Sequence, residues 1–376
     1  MKIRNWLITI SLSLSMLFLL GALALIPPAP VAAGPQPQAT VEPSPRYGHT
    51  LVTISDTVYL FGGTDIPPTQ GIRSDRLHPA GDLLNDLWGY TDKDQDWKKI
   101  EPTGLVPPPR HSHGATGIGN WIWIFGGIDN GNTVRNDIWA CDPVTNQWTQ
   151  KSWTGPYNAP HVYENTLTSI GNEYLYLYGG RDQNGNLRTA SYRYNVNTGE
   201  ASSLWAPNGP GARAGHSAIG RFDRIYLFGG YSGEPPTYQN DLWVLDTESG
   251  IWIKLEPSGD PMYGFPVPRA HATMIPYGDQ ILLLHGDNGG QPFNDAWIFH
   301  PQENRWEYAT RRVGDILSRT RSAGAPLDSE TSEQARAAQT SNQAILIFGG
   351  LHDGTPIAET SILQPIDRLY LPLVTR

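Results

Sequence analysis

The chain has 376 residues, a formal net charge of −9, 40 glycines, 32 prolines, 13 tryptophans and one cysteine. A chain this long can bury a full apolar core without covalent staples, and a single cysteine excludes an intrachain disulfide. The acidic balance, with no cluster of Lys and Arg, argues against a phosphate-binding surface, so nucleic acid is not an expected partner.

The N-terminal segment stands apart in composition. Lys2 and Arg4 precede an apolar run from Trp6 to Ile26, and a Pro/Ala stretch ends in Val31-Ala32-Ala33-Gly34. A cationic end, an apolar segment and small residues at a cleavage point make a signal-peptide layout, with cleavage expected near Ala33. The run is also long enough to span a bilayer, so an uncleaved anchor stays open. Either way the folded part is expected outside the cytoplasm, secreted or at the cell surface, and the membrane is a partner only if the segment is retained. Cleavage removes two positive charges and takes the formal charge from −9 to −11. The predicted organisation is residues 1–33 signal peptide or anchor, 34–45 linker and possible closing strand, and 46–376 one folded domain.

That domain is built on a repeat. A strand ending in two glycines occurs as Val58–Gly63, Ile122–Gly127, Tyr176–Gly180, Tyr226–Gly230 and Leu346–Gly350, with a sixth, altered copy at Leu283-Leu284-His285-Gly286-Asp287. An arginine lies sixteen residues before the first glycine at Arg46, Arg110 and Arg213, and a histidine three residues after each, at His49, His113 and His216. Beyond the glycines comes Asn-Asp-x-Trp, at Asn85–Trp88, Asn136–Trp139, Asn240–Trp243 and Asn294–Trp297. A second tryptophan follows nine residues later, at Trp97, Trp148, Trp252 and Trp306. Short apolar runs rich in Tyr, Ile, Val and Phe, separated by Gly, Pro, Asn and Asp, predict β-strands and turns. A period near 50 residues predicts a propeller.

Arg-x-x-His, Phe-Gly-Gly, Asp-Leu-Trp and a downstream Trp, in this order, resemble the kelch repeat. The resemblance covers residues 46 to about 371 and implies an all-β, six-bladed propeller of four-stranded blades. It says little about function, because the family includes sugar-acid isomerases, copper oxidases and binding proteins. Departures fall in blade 3, with Tyr163 at the arginine position and Ala190-Ser191-Tyr192 in place of Asp-Leu-Trp, and in blade 5, where His271 is only two residues beyond Arg269. In blade 6 the stretch Arg319–Ser322 opens the first strand, an insertion runs from Pro326 to Ser341, and the strand near Thr360–Leu363 has no Trp. Leu369–Leu373, Ala39–Pro43 or both could supply the closing strand.

Two sets of residues are candidates for ligand binding. Arg46, Arg110, Arg213, Arg269 and Arg319 would suit an anionic ligand such as a sugar acid if they ringed the channel mouth. The competing reading, which carries more weight, pairs them inside the blades with the equally periodic Asp86, Asp137, Asp241 and Asp295. His285 and Asp287 break the Phe-Gly-Gly rule near the mouth, and a His beside an Asp could move a proton. The long blade 1 loop from Thr64 to Leu84, with Arg73, Asp75, Arg76, His78 and Asp82, and the Pro-, Gly- and aromatic-rich links around Glu101–Pro109, Trp153–Pro160 and Glu256–Pro268 gather on the same face. Copper chemistry of the galactose-oxidase type, which the resemblance brings in, would need Cys141 near the axis; its place on a third strand reads instead as a buried small apolar residue. Asp129–Asn132 and Asp182–Asn186 read as turns rather than calcium loops. No metal or cofactor is expected. The expected function is a monomeric module that binds a protein or carbohydrate through its loop-rich face, with an isomerase-like enzyme acting on a sugar or sugar acid as the alternative.

Overall fold

The computed structural model describes residues 42–67, 83–204, 208–310, 317–327 and 344–363. They form six antiparallel sheets in a ring, each a meander whose strands pair in sequence order. Blade 2 shows the pattern: Gly114–Ile118 pairs with Trp121–Phe125, that strand with Ile138–Asp142, and the last with Gln147–Lys151. Three strands of blade 6 are described: Ala323–Pro326, Ile345–Phe348 and Thr360–Leu363. The N-terminal segment through Val41, the polar connection containing Arg73, Asp75, Arg76, His78 and Asp82, most of the 326–341 insertion and Leu369–Leu373 lie outside the described residues.

The core is a set of wedges between blades. One apolar cluster joins Val52, Ile54, Phe61 and Leu87 of blade 1 to Ile122, Ile124, Trp139 and Trp148 of blade 2. Equivalent clusters join every neighbouring pair, including blades 6 and 1. Second strands are apolar on successive residues because a neighbouring blade covers each face. The outer tryptophan fills the widening outer gap by packing on the aromatic residue that precedes the previous blade's glycines: Trp148 on Phe61, Trp252 on Tyr178, Trp306 on Phe228 and Trp97 on Phe348. In the gap between blades 2 and 3 a tryptophan from a loop, Trp153, packs on Phe125.

Seams between blades are made by backbone. The N–H of the second glycine donates to the carbonyl at the arginine position of the next blade: Gly63 to Arg110, Gly127 to Val162, Gly180 to Arg213, Gly230 to Arg269, Gly286 to Arg319 and Gly350 to Arg46. The blades approach so closely here that a Cβ on Gly229, at φ +66°, would lie 2.6 Å from the Arg269 oxygen. Glycine is the residue that meets both demands without strain. The same seam corrects the reading of blade 3: Val162, not Tyr163, holds the arginine position. The first hairpin of blade 3 spans Thr166–Ile170 and Tyr174–Tyr178, so it has one more turn residue than that of blade 2, which shifts the count by one.

The arginine side chain then fastens each blade to itself. Arg110 Nη1 donates to the Gly126 carbonyl at 2.9 Å and to Asp137 Oδ1 at 2.7 Å, while Nη2 reaches Oδ2 at 2.9 Å. Trp139 Nε1 donates to the same carboxylate at 2.8 Å. Arg46–Asp86, Arg213–Asp241 and Arg269–Asp295 repeat the fork. Burial pushes the carboxyls of Asp86, Asp137 and Asp241 up, but the arginine and tryptophan donors outweigh it and hold them below the usual range. The neighbouring Asn of the motif pins the connection to the next blade, with Asn85, Asn136 and Asn240 donating to the carbonyls of Pro107, Ala159 and Pro266.

Removing one member of a buried pair strands the other. Arg110→Ala is therefore expected to cost about 3–5 kcal/mol, read from denaturant unfolding. Lys98→Ala, at the exposed Lys98–Asp94 pair, should leave the midpoint unchanged.

Candidate functional site

The first strands line the axis, and two residues beyond the arginine position the chain reaches it. Those six residues, Gly48, Ser112, Glu164, Gly215, His271 and Arg321, all have φ between 53° and 64°. Each donates its N–H to the corresponding carbonyl of the preceding blade, from Ser112 to Gly48 round to Gly48 on Arg321, so the bonds close a backbone ring. Non-glycine residues are uncommon in this left-handed region, and four of the six positions carry one.

Glycine or serine leaves space above the ring in blades 1, 2 and 4, and long polar side chains from blades 3, 5 and 6 fill it. Arg321 Nη1 donates to Glu164 Oε1 at 2.7 Å, bridging blades opposite each other across the axis. His271 lies between two carboxylates, with Nε2 3.3 Å from Glu164 Oε1 and Nδ1 3.1 Å from Asp287 Oδ2. Tyr231 donates to Glu164 Oε2 at 2.5 Å and accepts from Arg181 Nε at 2.6 Å, and Thr320 donates to Asp287 at 2.5 Å. A Cβ on Gly215 would stand 2.7 Å from His271 Nε2; glycine there is what admits the imidazole.

Burial pushes the Glu164 carboxyl up, but Arg321 and then His271 override it and hold it well below its ordinary range. Burial and Arg321 push His271 down, while Glu164 and Asp287 outweigh them and raise it. Both ring nitrogens face a carboxylate, and only the imidazolium carries two N–H donors. The cluster is thus a self-neutralising network, closed to solvent on most sides, with Glu164 only 7 % exposed. Along the axis it borders a cavity of about 240 Å³ walled by the starts of the first strands, among them Thr50, Thr166, Ser217 and Thr273.

The sequence-predicted residues fall as follows. Arg46, Arg110, Arg213, Arg269 and Arg319 are buried within the blades, and the forks that would take a ligand carboxylate already hold Asp86, Asp137, Asp241, Asp295 and, for Arg319, Glu359. They do not ring an open mouth. His285 and Asp287 have separate partners. His285 is fully buried with Nδ1 3.1 Å from Ser322 Oγ, and burial, then Arg319, holds it well below 6.5. It fills space that the next blade's histidine fills elsewhere. His113 lies against Gly62, His216 against Gly179 and His49 against Gly349, whereas here the imidazole comes from the glycine position and the facing residue is Ser322. Asp287 belongs to the axial network. Glu164 and Arg321, its central pair, were not singled out from sequence; reading the residue two beyond the arginine in all blades finds both.

Cys141 is buried against Ile122 and Trp148, and burial pushes its thiol up to about 12. Asp129 and Asp182 cap their own turns, accepting from the N–H groups of Gly131 and Thr133 and of Asn184 and Asn186. Among the described residues no group of three His, Cys, Asp or Glu side chains is placed to hold a metal ion.

A family model described as KLHDC2/KLHL20/DRC7 Kelch-repeats domain matches residues 33–180 and 164–368. The chain belongs to the kelch-repeat family. It is 31 % identical over 267 residues to Kelch domain-containing protein 3 of Rattus norvegicus, which takes in 68 % of this chain and 65 % of that one. Multiple epidermal growth factor-like domains protein 8 of Mus musculus is 26 % identical over 341 residues, covering 87 % of this chain and 11 % of that protein. Host cell factor of Drosophila melanogaster is 28 % identical over 233 residues, 56 % of this chain and 15 % of that one. The chain thus spans just under two thirds of the first of these relatives and small parts of the others. Kelch propellers generally bind protein partners.

The protonation of His271 sets a pH dependence. A histidine raised by folding adds stability that is fully present below the unfolded value near 6.5 and is lost as pH rises through the folded value. His49 and His216 work in the opposite sense. Burial, then Arg46 or Arg213, lowers them to about 3, so their neutral forms cost stability as pH falls below 6.5. His271→Gln should lower the melting temperature more at about pH 6 than at about pH 9. An equal deficit at both, by scanning calorimetry, contradicts a charged bridge.

Proposed function

We propose that this chain is an exported recognition module that takes a protein partner on the face bearing the connections between blades. Connections from the second to the third strand, and from one blade to the next, share that face of an up-and-down propeller. The observation that carries this reading is the connection from blade 4 to blade 5. Met262, Tyr263, Phe265 and Val267 are 79, 41, 50 and 45 % exposed, yet the loop is well fixed. Asp260 accepts from the N–H groups of Met262 and Tyr263, its N–H and that of Gly264 bond reciprocally with each other's carbonyls, and Tyr263 stacks on Tyr308 at 4.1 Å. Contiguous apolar surface held in one shape on a soluble domain marks a contact site. Leu105, 78 % exposed on the connection from blade 1 to blade 2, adds to the same face.

The self-satisfied axial network supports binding rather than catalysis, since no group in it is left to take a proton from a substrate. Export rests on Lys2, Arg4 and the run Trp6–Ile26.

A photo-crosslinking residue at Phe265 should give a discrete protein adduct in the producing cells. The same residue at Phe222, 54 % exposed on a hairpin of the opposite face, should not. Met262→Asp with Phe265→Asp should remove an adduct formed from Leu105. Equal labelling from both faces overturns the assignment. For export, intact-mass measurement of the protein released by its host should show Gly34 at the N-terminus; full-length protein confined to the cytoplasm would sink that part.

A further inference from the structure

Between blades 2 and 3, away from both the axis and the blade 4–5 loop, lies a cleft of about 530 Å³ with a mainly polar lining. Blade 2 differs from blades 1 and 4 at three places around it. Counted back from the arginine position, Asn158 stands where blade 1 has Val106 and blade 4 has Phe265. Counted on from the outer tryptophan, Lys151 stands where they have Ile100 and Leu255, and Trp153 where they have Pro102 and Pro257. Val106 and Ile100 pack against the core in blade 1. In blade 2 the corresponding Asn158 is exposed, and the space opens to solvent.

The chemistry of the lining is specific. Trp153 forms a wall, fixed by its packing on Phe125 and Tyr194 and by its Nε1 donating to the Tyr157 carbonyl at 3.0 Å. Tyr157, 49 % exposed, offers a ring beside it. Asn136, Gln150 and Asn158 bring planar amides, each able to donate and accept. The charged and titratable side chains at the cleft each have a partner, and His161 Nδ1 lies 2.8 Å from the Val134 carbonyl. Asp137 is held by Arg110 and Trp139, and the Lys151 ammonium lies 5.2 Å from the Trp121 ring centroid and 5.7 Å from that of Trp123. An aromatic wall together with several amides suits a molecule with one C–H face and several hydroxyls. The volume is in the range of small-ligand sites.

We propose that this cleft binds a neutral saccharide unit, set against Tyr157 and Trp153 and hydrogen-bonded by the amides of Asn136, Gln150 and Asn158. The site lies on the same connection-bearing face as the proposed protein contact but at a different connection, from blade 2 to blade 3 rather than from blade 4 to blade 5. Neutral sugars are favoured because the hydrogen-bonding groups of the lining are amides, while Lys151 is held over Trp121 and Trp123 and Asp137 by Arg110.

The test uses the full chain on an array of neutral and acidic glycans, followed by calorimetric titration of the best ligand. Tyr157→Ala removes the exposed ring. Asn158→Val restores the blade 1 residue and removes one amide at little change in size, so it separates loss of the site from loss of the fold. The expected result is binding confined to neutral glycans, weakened tenfold or more by each substitution at unchanged melting temperature. No neutral glycan bound, binding to acidic glycans alone, or neutral binding that survives both substitutions overturns the proposal.

Discussion

The hydrogen bond from the second glycine of one blade to the carbonyl at the arginine position of the next is the constraint around which the rest is arranged. It brings the blades to a distance at which a side chain on the first glycine would collide with the neighbouring backbone. It also sets the arginine where its guanidinium turns back to the first glycine's carbonyl and to the motif aspartate. The glycine pair, the arginine, the aspartate and its tryptophan are thus parts of a single joint, which explains why they recur together. Blade 3 separates the parts. Val162 has no guanidinium, yet its carbonyl accepts from Gly127 as the arginines do elsewhere, so the seam belongs to the backbone and the side chain only braces it.

Most of the scaffold was legible because this joint demands particular residues at fixed spacing. The strands before the glycines, the paired Arg and Asp, and the wedge tryptophans all follow from the pattern. What escaped was of two kinds. One was register: an extra turn residue in the blade 3 hairpin moved the arginine position from Tyr163 to Val162, since spacing counted from the glycines assumes hairpins of constant length. The other was exchange between neighbours. His285 looked like a titratable departure because a single blade shows a glycine lost, whereas the facing Ser322 shows a histidine lost in the same place. The volume is conserved across the seam, and only a pairwise reading of adjacent blades reveals it. Trp153 is a similar substitution, a loop residue standing on Phe125 where other seams use an outer-strand tryptophan.

Charged side chains converge on the axis, which by itself would suggest chemistry. Their partners are one another. Each carboxylate is met by two or more donors and each carboxylate-facing nitrogen by an acceptor, so the network consumes its own polarity. Surface character lies elsewhere, on the connections where the repeat imposes no residue and the chain is free to vary. There the 256–268 loop exposes apolar side chains on a rigid frame, while the blade 2 connection exposes amides and a ring.

The Arg321–Glu164 bridge adds something that a chain of identical repeats lacks. In an open array each unit touches only its neighbours, so the ends can fray while the middle stays folded. Closing the ring removes the ends. A contact between units three apart goes further, because losing blade 3 or blade 6 also strips a partner from the other and exposes a buried charge. Partial unfolding of one blade is then penalised at a distance, and the domain is held to an all-or-none transition by side chains that occupy no repeat position in common with the conserved joint.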